Sequence, residues 1–422
     1  MSMKTYAIMQ LGCKVNDFEA TYIREKMNEY FLEINFKDKA DIYLIFTCAV
    51  TNTAEAKTRK FLHKAKSNNP NSYVVAIGCL SQIKGSTEAF KDVDLIIGST
   101  KKDQIVDLIL ANTEGNVVEE KIIPKFEDMY IKSYPLKSRA FLKIQDGCNQ
   151  YCNYCIIPYA RGNERSANHI NVLNQAIELS NSFKEIVLTG IHTGRYFDGE
   201  YNLYQLLYDL VKIDKLETIR LSSIEITEIS DEIIDLIACS PKIAKHLHIP
   251  IQAASDEILK AMNRPYNLDN YIKRINYIRS KVKDISISTD LIVGYPGESD
   301  EIFNNSLKTL KDINFSFIHV FPYSRKTGTK ADKLDNHIDP KIKKQRVNTV
   351  LEFEKPLTKS FKESFIDKEI EVLVEKNDCD YSYGYSKQYF YTKIKGKFDI
   401  GSIVKGRVKI VDNDEVLADA II

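Results

Sequence analysis

The chain has 422 residues, 44% of them hydrophobic and 28% charged, with a formal net charge of +1. This length exceeds one ordinary hydrophobic core and predicts two or three domains. The near-neutral balance gives no global electrostatic argument for a nucleic-acid partner, so such a partner must be sought in local patches. No run approaches the length of a membrane span and no secretory signal opens the chain, so we expect a cytoplasmic protein without a membrane partner.

The first segment, residues 1–111, alternates strand-like and helix-like stretches, which predicts a βα repeat with a parallel sheet. Three of its apolar runs, KTYAIMQLGC, ADIYLIFTC and SYVVAIGC, end in Cys13, Cys48 and Cys79. Ligands of parallel sheets bind at the carboxyl ends of the strands, so these cysteines should converge. Small buried core residues are the alternative, which explains one strand-end cysteine but poorly explains three. The pattern therefore favours metal binding.

A polar segment, residues 112–138, reads as a linker or small hairpin, and a second βα series follows over 139–355. Its predicted strands are RAFLKIQ, KEIVLTG, TIRLSS, KHLHIPIQ, ISISTDLIVG and FSFIHVFPYS. Six strands with intervening helices predict a partial (β/α)6 barrel rather than the eight-stranded form, with its working face at the strand C-termini. Residues 356–422 change to short strands with Gly and Asp turns, which predicts a small all-β barrel. The fold class is therefore α/β with a β-barrel at the end.

The stretch DGCNQYCNYCIIPYARG carries Cys148, Cys152 and Cys155 in the spacing C-x3-C-x2-C. Three thiolates on a short loop can hold three irons of a [4Fe–4S] cluster and leave the fourth iron open. The alternatives are a zinc site completed by His169 or His192, or a chance group of buried cysteines. Zinc usually takes paired C-x2-C knuckles, and no second pair is present in the sequence.

A loop of this spacing after the first strand of a six-strand barrel resembles the radical S-adenosylmethionine (SAM) enzymes. The resemblance implies that the open iron chelates the amino and carboxylate groups of SAM. It also assigns candidate SAM contacts at the ends of the later strands, although each of these residues, taken alone, could be an ordinary loop residue. These candidates are Thr189 and Gly190 for the methionine amino group, Arg220, Ser222, Ser223 and Glu225 for the ribose, Gln252 and Arg264 near the cofactor, and Gly294, Pro296 and Gly297, followed by Glu298, for the adenine.

Taken whole, the chain resembles the methylthiotransferase family, with an N-terminal cysteine domain, a radical SAM domain and a terminal TRAM barrel. LGCKVND, TGIHTGRY and GCNQYCNYCIIPYARG resemble the branch that acts on N6-threonylcarbamoyladenosine (t6A), although that branch commonly carries Gln where Asp17 stands. The resemblance implies that Cys13, Cys48 and Cys79 hold an auxiliary [4Fe–4S] cluster carrying a sulfur ligand. The resemblance further implies that one SAM would methylate that sulfur, and that a second would yield the deoxyadenosyl radical that abstracts hydrogen near C2 of the adenine.

The implied substrate is t6A at position 37, in the anticodon loop of ANN-decoding tRNAs. The implied electron donor is a flavodoxin or ferredoxin, and we expect a monomer. Methylthiolation of isopentenyladenosine tRNA or of a ribosomal protein are alternatives with the same cluster cysteines. A two-cluster electron-transfer or RNA-binding protein is the alternative without catalysis, but it has no need of the SAM-like motifs.

Local charge must supply any RNA contact, through phosphate binding that carries little sequence information. One basic patch contains Lys57, Arg59, Lys60, Lys64 and Lys66, and a second contains Lys341, Lys343, Lys344 and Arg346. Either could instead be a solvated helix face. The stretch YSYGYSKQYFYTK could stack unpaired bases or supply ordinary strand residues. Cys239 and Cys379 have no partner at useful spacing and are interpreted as structural.

Overall fold

The computed structural model describes residues 3–84, 90–119, 122, 125–134, 137–412 and 415–421. The first domain is a six-stranded parallel sheet in the order β2-β1-β3-β4-β5-β6, with helices on both faces. Its strands are β1 (Thr5–Gln10), β2 (Leu32–Glu33), β3 (Ile42–Thr47), β4 (Tyr73–Gly78), β5 (Leu95–Ile97) and β6 (Gly115–Val117). Its helices are α1 (Lys14–Met27), α2 (Asn52–Asn68), α3 (Cys79–Lys84) and α4 (Ile105–Leu110). The predicted βα repeat is confirmed.

Burial explains why the strands of this sheet could be predicted from the sequence. Every residue of β3 is buried, so the strand is a continuous apolar run, as expected when helices cover both faces of a parallel sheet. The edge strand β6 is mostly exposed and polar, and it lies within the segment predicted as a linker. Residues 120, 121, 123, 124, 135 and 136 of that segment lie outside the described residues.

The central domain carries two parallel three-stranded sheets, β11-β10-β7 and β12-β13-β14. The backbone N–H of Ala244 donates to the Ile219 carbonyl at 2.9 Å and that of Ile224 to the His248 carbonyl at 3.0 Å, which joins the sheets into one open arc. The strands are β7 (Ala140–Lys143), β10 (Glu185–Thr189), β11 (Thr218–Leu221), β12 (His246–His248), β13 (Ser286–Val293) and β14 (Phe317–Pro322). The short pair β8 (Gln145–Asp146) and β9 (Arg165–Ser166) brackets the cysteine loop. The predicted partial barrel of six strands is confirmed.

Helices cover the outside of this arc, and most begin at a residue whose side chain accepts a backbone N–H. The helices are α5 (Ile157–Arg161), α6 (His169–Ser180), α7 (Leu203–Leu210), α8 (Asp231–Cys239), α9 (Asp256–Ala261), α10 (Leu268–Lys281) and α11 (Asp300–Ile313). The capping residues are Asn168, Asn202, Ser230, Ser255, Asn267 and Ser299. Such caps satisfy the free N–H groups of a first turn and fix where each helix starts.

A long helix, α12 (Pro340–Glu363), joins the arc to the terminal barrel, and the predicted division at 355/356 falls within it. The barrel closes in the order β15-β16-β17-β19-β18, which confirms the small all-β domain. Its strands are β15 (Glu369–Asn377), β16 (Tyr381–Ser386), β17 (Tyr391–Lys395), β18 (Ile403–Asp412) and β19 (Glu415–Ala420). None of the described helices is both long and apolar enough to cross a membrane.

The terminal barrel closes the end of the arc where the strands begin. The Tyr389 ring stacks on the ring of His246, the first residue of β12, with centroids 4.7 Å apart. Arg220 donates to the Ser386 carbonyl at 3.2 Å and to the Lys387 carbonyl at 3.1 Å. The opposite end, at the strand C-termini, is left for the cysteine loop and the first domain.

Candidate active site

The cysteine loop leaves β8 through Gly147, which has a φ of +74°. A Cβ there would lie 2.1 Å from the Asn163 carbonyl oxygen, so only glycine allows the loop to pack this closely. Cys148, Cys152 and Cys155 line one cavity of about 240 Å³ at the carboxyl ends of the strands. The structure thus brings the three thiols of the motif together, on the predicted working face.

Two of these thiols have polar neighbours from other segments, one after β10 and one after α9. Arg264 donates to the Cys152 sulfur at 3.2 Å, and the Cys148 sulfur lies 3.4 Å from His192 Nδ1. Burial raises the pKa of the Cys155 thiol to about 12. A metal bound here would therefore displace a proton, as thiolate ligation requires. Three soft donors around a cavity fit the three protein ligands of a cluster with one open iron.

A zinc site at Cys148, Glu164 and His192 is the competing arrangement, since one ligand atom from each lies within 4.8 Å of the others. His192 Nδ1 is 3.0 Å from Glu164, and Nε2 is 2.7 Å from Glu228. Burial disfavours the charged ring, but contacts with Cys148, Glu164 and Glu228 outweigh it and raise the pKa of His192 to about 12. A zinc ion held by this set would leave Cys152 and Cys155, which line the same cavity, without a metal to bind.

Four predicted cofactor contacts line the same cavity as the thiols: Ser223, Glu225, Gln252 and Arg264. Arg264 also forms an ion pair with Glu225, so one guanidinium orients a thiol and a carboxylate together. Gln252 has a φ of +61° and pairs in parallel with Leu291. A left-handed non-glycine residue at a cavity wall is the kind of strain that functional sites retain.

Four other candidates lie away from the cavity lining. Arg220 is buried and pairs with Glu185 at 3.0 Å, at the end of the arc that the terminal barrel closes. Its charge is therefore committed to domain packing, and its placement does not support the predicted ribose contact. The buried Ser222 hydroxyl is 2.9 Å from that of Thr193. Thr189 and Gly190 end β10 beside Gln145, and a Cβ on Gly190 would lie 3.0 Å from Gln145 Cβ.

The predicted adenine turn packs against α12 instead of the thiol cavity. The Gly294 N–H donates to the Glu298 carboxylate at 3.1 Å, and a Cβ on Gly294 would meet the Lys343 side chain at 2.2 Å. Pro296 is buried, and Gly297 donates to the Asn336 carbonyl at 3.0 Å. Glu298 is held by Arg346 at 2.7 Å.

Asp290 and Tyr154 also line the cavity and were not predicted. Asp290 stands in the apolar stretch ISISTDLIVG, and a charged residue inside such a strand is the signal that could have identified it. Tyr154 lies between Cys152 and Cys155, so its position followed from the motif itself.

The N-terminal cysteines follow β1, β3 and β4, which are neighbours in the first sheet. Gly12 has a φ of +102°, and a Cβ on it would lie 3.2 Å from the Cys48 sulfur. Cys13 and Cys79 lie close enough to Cys48 to repel its thiolate. Cys48 and Cys79 are buried, whereas Cys13 reaches solvent. The structure therefore brings these three thiols together as well, and burial raises the pKa of Cys48 to about 11.

Arg161, at the end of α5, connects the Cys79 thiol to the residue that precedes the cysteine loop. Its Nε donates to the Cys79 sulfur at 3.2 Å, and its terminal nitrogens donate to Asn16 at 2.7 Å and to Glu19 at 2.8 Å. Asp146, just before the cysteine loop of the central domain, accepts from the same guanidinium at 3.1 Å. No sequence motif predicted this buried contact between the domains.

Comparisons with known proteins agree with this architecture. Residues 142–310 match the family model described as Radical SAM superfamily, and residues 5–98 match that described as Uncharacterized protein family UPF0004. The chain resembles, in fold, the solved radical S-adenosylmethionine methyltransferase TsrM from Kitasatospora setae. The TM-score is 0.56 at 12% identity, over 76% of this chain and 75% of that one.

Two curated relatives span nearly the whole chain. The threonylcarbamoyladenosine tRNA methylthiotransferase MtaB of Bacillus subtilis (strain 168) is 35% identical over 96% of this chain and 94% of its own. The tRNA-2-methylthio-N(6)-dimethylallyladenosine synthase of Thermodesulfovibrio yellowstonii is 31% identical over 97% of this chain and 96% of its own.

The open six-strand arc, with three thiols on the loop after its first strand, defines a radical SAM enzyme, whose cofactors are SAM and a [4Fe–4S] cluster. The chain belongs to the radical SAM methylthiotransferase family.

Proposed function

We propose that this protein is a tRNA methylthiotransferase that converts t6A at position 37 to its 2-methylthio derivative, using two [4Fe–4S] clusters. The observation that carries the proposal is the pair of three-thiol groups linked through Arg161. One group lies at the SAM-type loop and the other at the strand ends of the first domain. Two such groups suit a reaction that needs both a radical and a sulfur source.

The t6A substrate is supported by the name of the B. subtilis relative, which specifies threonylcarbamoyladenosine, and by the LGCKVND motif around Cys13. The dimethylallyladenosine relative is 31% identical against 35%, so activity on that nucleoside is the alternative. Both substrates require the same six cysteines. They differ in the group on N6, which is anionic in t6A and apolar in dimethylallyladenosine.

The bound clusters and SAM would supply the radical, the sulfur and the methyl group. We assign Cys148, Cys152 and Cys155 to the SAM-binding cluster and Cys13, Cys48 and Cys79 to the auxiliary one. Ser223, Glu225 and Gln252 would contact SAM from the cavity wall, with Arg264 fixing the Glu225 carboxylate. Thr189, Gly190, Ser222, Gly294, Pro296 and Gly297 stay predictions for SAM binding.

The first predicted RNA patch, on α2, is only partly available. Lys57, Arg59 and Lys60 are exposed, but Lys66 pairs with Asp94 at 2.8 Å and supports the domain. We therefore propose that the exposed residues at the start of α2 contact phosphates of the anticodon arm.

In the second patch, Lys341 and Lys344 are exposed, whereas Arg346 is buried against Glu298 and Asp300. On the terminal barrel, the Tyr383 and Tyr391 rings lie 6.3 Å apart in a stacked arrangement. This surface could stack bases. A flavodoxin or ferredoxin as reductant, a monomeric state and a cytoplasmic location complete the proposal.

Nucleoside mass spectrometry of tRNA from cells lacking this protein tests the proposal. We expect the 2-methylthio form of t6A to disappear and unmodified t6A to accumulate. The wild-type gene should restore the product, whereas a Cys152→Ala gene should not. An unchanged 2-methylthio-t6A level in the deletion strain would overturn the proposed substrate.

A further inference from the structure

A cluster of ionisable side chains occupies the interior of the central arc beside the thiol cavity. His248 Nε2 lies 3.2 Å from the Asp290 carboxylate, and the His248 and His319 rings are 5.6 Å apart. Asp290 and His319 are register partners on β13 and β14. Because Asp290 also lines the thiol cavity, this interior cluster and the cavity share a wall.

Lys14 adds a positive charge to the same interior from the first domain. It directly follows Cys13, and its side chain is accessible to solvent although surrounding protein desolvates the ammonium group and lowers its pKa. The ammonium group lies within electrostatic range of Arg139, Arg220, Glu185, Cys13 and His319. In the described part of the chain, its nitrogen has charge interactions but no hydrogen bond and no carboxylate at ion-pair distance.

The carboxylates nearby are already paired. Glu185 lies 3.0 Å from Arg220 and 3.4 Å from Arg139, and Asp290 is held by His248. The His319 side chain makes only the ring contact with His248 among the described residues. Arg139 and Arg220 are neutralised by Glu185 and Glu375, so the ammonium of Lys14 and the imidazole of His319 are the groups of this cluster left to attract an anion.

We infer that Lys14 and His319 bind the carboxylate of the threonyl group of the substrate nucleoside. This inference rests on the proposed t6A substrate and extends it to the basis of selectivity. An ammonium and a ring N–H would each donate a charge-assisted hydrogen bond to that carboxylate. A dimethylallyl group carries no charge and would leave both donors desolvated without a partner, which costs binding energy.

The position of Lys14 fits this role. It follows the exposed thiol Cys13 of the auxiliary group. Asp290 belongs to the interior cluster and also lines the radical SAM cavity. A nucleoside anchored at Lys14 and His319 by its threonyl end would therefore present its adenine between the two thiol groups.

The test uses the full-length protein, anaerobically reconstituted with iron and sulfide. The ligands are two anticodon stem-loop RNAs, one with t6A and one with the threonyl methyl ester of t6A, in which an uncharged ester with one additional methyl group replaces the carboxylate. Dissociation constants and 2-methylthio product formation are measured for both. We expect wild-type protein to bind the acid about tenfold more tightly than the ester, the equivalent of losing one charge-assisted contact.

Lys14→Met and His319→Gln should each reduce this ratio toward one, mainly by weakening binding of the acid. Lys26→Met, an exposed lysine near the other end of α1, is the matched control and should retain the wild-type ratio. Two variants in different domains guard against misfolding of either one.

Equal affinity of the wild type for acid and ester, together with methylthiolation of t6A, would overturn the anion site while leaving the proposed function standing. Failure of the wild type to methylthiolate t6A, under conditions where it methylthiolates dimethylallyladenosine, would overturn the proposed function itself. The SAM dissociation constant is measured in parallel, because SAM also has a carboxylate. A weaker SAM affinity in Lys14→Met with an unchanged acid-to-ester ratio would assign the site to SAM and contradict our inference.

Discussion

The Nε of Arg161 donates to the sulfur of Cys79 at 3.2 Å, although the two residues belong to different domains. Arg161 ends the helix that follows the radical SAM cysteines, whereas Cys79 begins the helix after β4 of the first sheet. The guanidinium is fully buried. This side chain thus connects the N-terminal thiol Cys79 to the segment that carries the cysteine loop of the central domain.

Replacing Arg161 should destabilise the protein because the change leaves buried Glu19 and Asp146 short of a counter-charge. We expect Arg161→Gln to cost about 3–5 kcal/mol, the usual loss when one partner of a buried ion pair is removed. Denaturant unfolding followed by circular dichroism measures it. Arg59→Gln, at an exposed arginine of α2, is the control. Equal stability of the two variants would contradict the role given to Arg161.

Glu19 should make stability depend on pH. Burial raises the pKa of this carboxyl, but Arg161, Lys102 and Lys143 outweigh the effect and hold the pKa well below its usual range. The stabilisation is therefore complete above the unfolded-state pKa of about 4.3 and is lost as the pH falls toward the folded-state pKa.

Glu19→Gln should accordingly lose about 3–5 kcal/mol near neutral pH, with a smaller deficit as the solution is acidified. Unfolding curves of wild type and variant at a series of pH values give the comparison. Glu29→Gln, exposed near the end of α1, should differ little from wild type throughout. A pH-independent difference for Glu19→Gln would refute the ion-network explanation.

The iron content of the protein tests whether each of the two thiol groups binds a cluster. Reconstituted wild-type protein should bind about eight irons, and Cys13, Cys48 and Cys79 changed together to Ala should leave about four. Iron and labile sulfide assays measure both. The double variant Cys239→Ala and Cys379→Ala should keep the full count, since these cysteines lie apart from the sites. An unchanged count in the triple variant would remove the basis for an auxiliary cluster.

SAM binding should depend on Glu225, because its carboxylate lines the thiol cavity and is oriented by Arg264. Glu225→Gln keeps the shape but loses the charge, and we expect SAM affinity to fall about tenfold through a weakened hydrogen bond. Equilibrium dialysis with the reconstituted protein measures this. Glu232→Gln, in the exposed first turn of α8, is the matched control. Wild-type affinity in Glu225→Gln would exclude a ribose contact there.

The cysteines could be placed from sequence because position and chemistry coincide at strand ends. Apolar runs marked β1, β3 and β4, and the carboxyl ends of adjacent parallel strands meet at one edge. The same rule, applied to Arg220, predicted a ribose contact that the position of its side chain does not support. This residue ends a strand in the sequence, yet its long side chain pairs with Glu185 and reaches the terminal barrel. Such pairing depends on how domains dock, which local patterns do not encode.

Arg161 and Lys14 also have contacts that local sequence patterns do not encode. Both stand in motifs that were noticed for their cysteines, and both have their neighbours in another domain. The basic patches were only partly correct for a related reason. Lys66 and Arg346 are used for internal ion pairs, and their partners Asp94 and Glu298 are distant in sequence.

The most direct test of the central claim is mass spectrometry of the product formed by the purified, reconstituted protein. SAM, a reductant and one of three tRNAs are supplied, with t6A, dimethylallyladenosine or unmodified adenosine at position 37. We predict 2-methylthio-t6A from the first tRNA and little or no product from the other two. Product from dimethylallyladenosine in preference to t6A, or from no tRNA while SAM is cleaved, would contradict the account.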